Sequence, residues 1–389
     1  MTGSPGAPWL PMRDLRVLDL SRLLPGGFAG SLLADLGADV VKVEPPAGDP
    51  LRRIAPETFA AIHRNKRSVV LNLVEPEGKR ALLNLLPEYD VVIESHRPGV
   101  LDRLGLGYAE LRSAHPRVVL CSLSGFGQSG PYACRPGHDV NFLALSGFFA
   151  VPSRPGTRVE RPGVRIADLA GAMYAALSIT VAVQDAARTG TGQHVDVSLH
   201  EAATAWAGPL ALPSLRLPTP ADTPVLTGDN DVFTTRDGRR LALALVEDKF
   251  WRAFRDRMAG EFPELATDVY DRRADRTLHK ETVSDLLAGV VAGRDLAWWA
   301  GELADLDVPW APVHETAAEL LDDVHVHARR LVTATPGCDT DQQWHQVRFP
   351  VLFGAGLDSL RTPAPALGQH TGEVLSRTRT AHTTGKAAP

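Results

Sequence analysis

Five short runs of valine, leucine and isoleucine punctuate the first 126 positions: RVLDL (16–20), DVVKVE (39–44), KRSVVLNL (66–73), DVVIES (90–95) and RVVLCSLSGF (117–126). Between them lie helical signals, GSLLADLG after the first run and a stretch from about Pro76 after the third. A strand with one wet face alternates apolar and polar residues, whereas these runs stay apolar at successive positions. They therefore predict strands buried on both faces, and strands that alternate with helices form a parallel sheet covered on each side. The predicted fold class is α/β, with a Rossmann-like parallel sheet.

Further along, DLAGAMYAALSITVAVQDAARTGTG (168–192) reads as an apolar helix whose Gly/Thr-rich exit leads into the alternating strand GQHVDVSL. From Ala211 to Asn230 the chain turns rich in Pro and Thr, which marks a linker and a domain boundary. Beyond it DVFTTRDGRRLALALV predicts a hairpin around Asp237-Gly238, followed by helices carrying the Trp298-Trp299 pair, a core or interface feature. The tail from Pro363 ends loosely.

Length and charge narrow the function classes. A chain of 389 residues with 44% hydrophobic composition holds a large core and a second, smaller domain. Its 41 basic and 46 acidic residues are spread without a basic stripe, which argues against nucleic-acid partners. We expect no membrane span, because no apolar run is read as approaching that length, and no signal peptide in MTGSPGAPWLPMRDL. Cys121, Cys134 and Cys338 form neither an even set nor a C-x-x-C pair, as expected of a reduced, cytoplasmic compartment.

Several motifs invite chemical readings. LPGGFAG (24–30) after the first strand, with Glu44 ending the second, suggests a dinucleotide fingerprint. The register fails, because Pro25 stands where the first glycine belongs, so the expectation is a turn that packs strand against helix. His325-Val326-His327 lacks a third ligand at a recognisable spacing, and we expect no metal. PGHDVNFLALSG places His138 and Asp139 at the mouth of an apolar helix, where Asp139 is a natural cap. Asp168 opens the next long helix and Glu247, in LALALVEDKFW, stands where a strand gives way to a helix; each alone also reads as a capping acid. Together, a histidine and acids at element ends near the strand termini of an α/β sheet form a proton-transfer set.

LLADLGADVVKVEPPAGDPLR (32–52), NKRSVVLNL, ESHRPGVLDRLGLGY (94–108), SGFGQSGPY (124–132), RTGTGQHVDVSLHEA (188–202) and ALGQHTGEVL (366–375) follow one another in an order that resembles the family III CoA transferase superfamily, also called CaiB/BaiF. Within it, GHDVNFLALSG is similar to the α-methylacyl-CoA racemase branch, where His138 takes the catalytic histidine's place. Thirty residues on, ADLAGAMYAAL supplies Asp168 at the racemase aspartate, which is also the transferase nucleophile's position. ALVEDKFW places Glu247 where the racemase motif GAIEPQFY has the glutamate that orients the histidine. LAGAMY replaces a glycine run after the aspartate, and the GGGGQ-like loop of formyl-CoA transferases is absent.

The resemblance implies an acyl-CoA racemase or epimerase, an isomerase that exchanges the α-proton of a 2-methylacyl-CoA-type thioester through an enolate. His138 and Asp168 would be its two bases, Glu247 would hold the histidine ring, and the Asp139 N–H would meet the enolate oxygen. Coenzyme A enters as part of the substrate, with no separate cofactor. Arg97, Arg103, Lys66, Arg67 and Lys42 are its candidate phosphate ligands. The resemblance also implies an interlocked homodimer with a large domain built from both chain ends. Residues 1–210 would open that domain, 211–230 link, 231–325 form a smaller α+β domain and 326–389 return to complete the large one. The alternative is a CoA transferase with Asp168 as nucleophile and no necessary role for His138; a third reading is a non-catalytic CoA-binding homologue.

Overall fold

The computed structural model describes residues 9–151, 159–217, 227–336 and 343–376. Part of the 211–230 stretch, the end of the tail and Cys338 lie outside the described residues. The chain divides into two compact units. The first comprises Met1–Ser146, Pro162–Trp206 and Val324–Pro389, the second Gly147–Arg161 and Ala207–Asp323.

The α/β expectation holds. The first unit is built on six parallel strands, β1 (Arg16–Asp19), β2 (Asp39–Glu44), β3 (Arg67–Val70), β4 (Val91–Glu94), β5 (Val119–Ser124) and β6 (His194–Ser198), in the order β3-β2-β1-β4-β5-β6. Successive side chains leave opposite faces of each strand. Val17, Val40, Val91, Ile93 and Cys121 pack on one side against Ala29, Leu33, Ala172, Ala175 and Ile179. Leu18, Val41, Val43, Val92 and Leu120 pack on the other against Leu82, Leu85, Leu101 and Leu111. Two buried faces explain why apolar residues stand at neighbouring positions in β1 to β5.

LPGGFAG starts the helix Leu23–Asp35, and its glycines serve close packing. A Cβ on Gly27 would stand 2.8 Å from Ile62, and one on Gly30 would stand 2.8 Å from the Lys66 Nζ. Asp19, Lys42 and Lys66 are buried below this helix; the Lys66 Nζ lies 2.8 Å from the Asp19 carboxylate and donates to the Gly27 carbonyl at 2.8 Å. Burial pushes the Asp19 carboxyl up, but the charges of Lys42 and Lys66 outweigh it and hold the group below its ordinary range.

The helix Ile166–Thr189 corrects the expectation that no apolar run reaches membrane-span length. Its 24 residues and mean hydropathy of 1.7 meet that length and composition. In the fold one face of it packs into the core, burying Ala170, Gly171, Ala172, Ala175, Ile179, Ala182 and Ala186, while Met173, Leu177 and Val181 are exposed. Small residues let it lie close on β5, β6 and the helix Leu23–Asp35. The C-terminal segment returns to the free edge of β3: His370 N–H donates to the Ser68 carbonyl at 2.9 Å, and Val70 N–H donates to Thr371 Oγ1 at 3.1 Å. Strands β10 (Val332–Pro336) and β11 (Gln343–Val347) form an antiparallel hairpin.

The second unit holds a small antiparallel sheet of β7 (Asn230–Thr234), β8 (Arg240–Ala244) and β9 (Trp310–Pro312). Its hairpin turns at Asp237-Gly238, where Gly238 takes φ +78°. Leu241, Leu243, Trp251, Phe254, Phe262 and Trp299 form its core. The Trp298-Trp299 pair belongs to that core: Trp299 is fully buried, stacks on Phe262 at 5.6 Å and donates its ring N–H to the Val291 carbonyl at 3.0 Å.

Candidate active site

Two helix starts meet at Asp139 and Asp168. The first backbone N–H groups of a helix have no intrahelical partner and favour an acceptor of negative charge. The helix Ile166–Thr189 obtains that acceptor from a distant residue: Asp139, 4% exposed, takes the Ala167 N–H at 2.8 Å and the Asp168 N–H at 3.3 Å on its Oδ1. Its Oδ2 is buried with no hydrogen-bond partner among the described residues. Asp168 thus sits in the first turn of its helix beside a second carboxylate. Burial, then the Asp139 charge, push the Asp168 carboxyl up to about 7, while Arg165 pulls the other way.

His138 is exposed and stands at the N-cap of the helix Asp139–Leu145, where its N–H donates to Asn141 Oδ1 at 3.0 Å. Glu247 is exposed at the N-cap of the helix Asp248–Met258 and belongs to the second unit. Of the four catalytic candidates, the first unit brings Asp139 and Asp168 into direct hydrogen-bonded contact.

A cavity of about 270 Å³ opens at the carboxyl ends of β1 to β4, lined by Ser21, Arg22, Lys42, Asn72, His96 and Val100 among others. Strand order reverses between β1 and β4, and this is where an open α/β sheet forms a ligand crevice. Arg22 N–H donates to Ser95 Oγ at 2.8 Å, tying the two strand ends together. Next to it Leu23 holds φ +61°, a left-handed conformation rare for leucine, with its N–H directed at the Asp49 carboxylate at 3.3 Å. Burial, reinforced by the Arg22 and Lys42 charges, pushes His96 down to about 4, so its ring is neutral at pH 7. Behind it Glu94 is 4% exposed and accepts the His96 N–H at 2.7 Å; burial pushes its carboxyl up to about 7.

The basic candidates divide between surface and interior. Arg97 and Arg103 are exposed on the loop and helix that follow β4, without a carboxylate partner among the described residues. Lys42 borders the cavity but is buried and paired with Asp49 at 3.0 Å; Lys66 is buried against Asp19. Arg67 is paired with Asp39 at 2.7 Å and with Glu373 at 3.1 Å. These three cations have their charge met within the fold. Ser21, Arg22, Asn72 and His96 were missed as site residues from the sequence; the signal for them is position, since each stands within two residues of a predicted strand end or, for Ser21 and Asn72, inside or beside the apolar run.

The chain matches the family described as CoA-transferase family III over residues 12–371. It is 33% identical to the succinyl-CoA–D-citramalate CoA-transferase of Chloroflexus aurantiacus, covering 95% of this chain and 94% of that one. It is 31% identical to the succinate–glutarate CoA-transferase of Agrobacterium fabrum, over 95% of this chain and 96% of that one. The fold superposes on the crystal structure of a CaiB/BaiF family protein from Brucella suis with a TM-score of 0.83 at 28% identity, covering 95% of this chain and 99% of that chain.

These relatives overturn the expectation of an α-methylacyl-CoA racemase, and with it the isomerase class, since they are named as CoA-transferases. The physical reason the motif misled is visible in the fold. GHD and the aspartate thirty residues later mark two helix starts joined by the Asp139 cap, so their spacing reports a packing arrangement that presents Asp168, whichever reaction follows. Matched over residues 12–371 and 31–33% identical to these relatives along nearly its whole length, the chain belongs to CoA-transferase family III.

Proposed function

We propose that the protein is an enzyme that moves coenzyme A from one carboxylic acid to another, with Asp168 as the nucleophile. The observation that carries this reading is the Asp168 carboxyl itself. It is fixed in the first turn of a core helix, partly desolvated, and pushed up to about 7 by burial and Asp139, which makes its ionised form an unusually basic carboxylate nucleophile.

The reaction needs no second base. An Asp168 oxygen attacks the donor thioester carbonyl, the C–S bond breaks, and CoA thiolate leaves a mixed anhydride. The thiolate then attacks the Asp168 carbonyl, releasing the donor acid as a carboxylate and leaving an aspartyl-CoA thioester. An acceptor carboxylate attacks that thioester, and the thiolate released in turn attacks the acceptor's acyl carbon. Acyl-CoA forms and Asp168 returns to a carboxylate. Asp139 is a positioning residue here, since its Oδ1 fixes the N–H groups of Ala167 and Asp168. Coenzyme A carries phosphates and an adenine; the exposed guanidiniums of Arg22, Arg97 and Arg103 suit the phosphates, and the cavity wall of Val100, Leu71 and Leu104 suits an apolar ring face.

Relatives named for succinyl-CoA with citramalate, and for succinate with glutarate, support short dicarboxylic acids as donor and acceptor. The test is to incubate the protein with succinyl-CoA alone and follow its intact mass, then add glutarate and follow glutaryl-CoA. A covalent adduct that maps to Asp168 and disappears in Asp168→Asn, together with transfer, is the expected result. Transfer at the original rate in Asp168→Asn removes the proposal.

A further inference from the structure

Arg165 stands immediately before the helix Ile166–Thr189, and its carbonyl accepts the Leu169 N–H at 3.0 Å in the first turn. A cation at this end opposes the helix dipole, so the helix gains nothing from it. Its side chain is exposed and has no carboxylate partner among the described residues, and the exposed Val164 beside it provides none. Yet Arg165, at the N-cap, directly precedes the first helical turn, which holds Asp168 three residues on. Its charge reaches the Asp168 carboxyl, and no other cation among the described residues is felt there. Beside Asp168 lies Asp139, whose Oδ2 is buried and without a hydrogen-bond partner among the described residues.

As a counter-ion Arg165 does too little: burial and Asp139 still dominate at Asp168. As a phosphate ligand it would duplicate Arg22, which already lines the cavity at the ends of β1 to β4. We infer that Arg165 is a specificity-determining residue of the proposed transferase, receiving the distal carboxylate of a dicarboxylic acyl group while that group's carbonyl carbon is held at Asp168. The inference rests on the transferase reading and adds a substrate class to it. In a succinyl group three C–C bonds of about 1.5 Å put the far carboxylate roughly 4 Å from the reacting carbon. A guanidinium three residues before the nucleophile spans that length, and its planar fork matches a carboxylate bidentately.

The test compares adduct formation from succinyl-CoA and from butyryl-CoA, which replaces the distal carboxylate with a methyl group, in the absence of acceptor. The original protein is expected to favour succinyl-CoA. Arg165→Gln should lower the succinyl-to-butyryl ratio of rate over half-saturating concentration about 10- to 100-fold, and Arg165→Lys, which keeps charge but loses the fork, should fall between. A ratio that stays within about threefold in both variants, or an original ratio near one, overturns the role of Arg165 and leaves the transferase reading standing. Absence of adduct from both thioesters in the original protein removes the transferase reading and this inference with it.

Discussion

Asp168 carries opposite demands of stability and chemistry, and both are measurable. Its carboxyl is pushed from the ordinary 3.8 up to about 7 by burial and then by Asp139. Between about pH 4 and 7 the folded chain keeps a proton that the unfolded chain has lost, so stability on this account falls as pH rises through that window. Asp168→Asn removes the titration. At pH 8 the variant should melt higher by about 2–4 °C, the equivalent of ~1 kcal/mol left after solvent screening, and the gain should vanish at pH 4. Catalysis runs the other way, because the nucleophile is the ionised form. The rate over half-saturating concentration in the free enzyme should rise about tenfold per pH unit below 7 and level off above it. Asp139→Asn takes away the like charge and should move that limb to lower pH. A limb unmoved in this variant would show that desolvation alone sets the Asp168 proton affinity.

At the level of elements, the sheet was legible and the side-chain partners were not. The five apolar runs became β1 to β5 because strands buried on both faces must be apolar at successive positions, a constraint written locally. Asp168 was legible as a helix start for the same reason. Lys42 and Lys66 looked like anion ligands because sequence shows a charge and hides its partner: Asp19 meets Lys66 from 47 positions away. The role of Asp139 was hidden likewise, since it caps a helix that begins 27 positions later. RTGTGQHVDV shows a further long-range constraint, at Gly192 before β6. A Cβ there would stand 1.9 Å from the Val118 carbonyl oxygen, on the backbone beside β5, where no side-chain rotation relieves it. Gly192→Ala should therefore disrupt the approach of β6 to β5 and cost about 3 kcal/mol, read as a lowered denaturation midpoint. An unchanged midpoint would mean that this backbone can yield.

Across the whole molecule, each compact unit owns its core, so each should unfold as a cooperative body of its own. The clusters around Val17, Ile93 and Leu120 use residues of the first unit, and the cluster around Trp251, Phe254 and Trp299 uses residues of the second. In the second unit Arg276 is fully buried. Its guanidinium meets Asp229 at 2.5 Å and Asp248 at 3.1 Å, and lies 5.3 Å from the Trp251 ring centre. Asp229 is itself fully buried and already has one oxygen without a partner among the described residues. Arg276→Met leaves that carboxylate uncompensated in the interior, a loss of about 3–5 kcal/mol. The effect should fall on the second unit, which holds Trp251, Trp298, Trp299 and Trp310, four of the seven tryptophans. Fluorescence should then report a lower midpoint than far-ultraviolet circular dichroism, and calorimetry should resolve a smaller, earlier transition. Ile93→Ala, in the core of the first unit, should lower the other transition by a comparable 2–5 kcal/mol. Coincident midpoints by all three probes in both variants would mean that the two cores melt as one, and that a substitution in either unit is felt at Asp168 through stability alone.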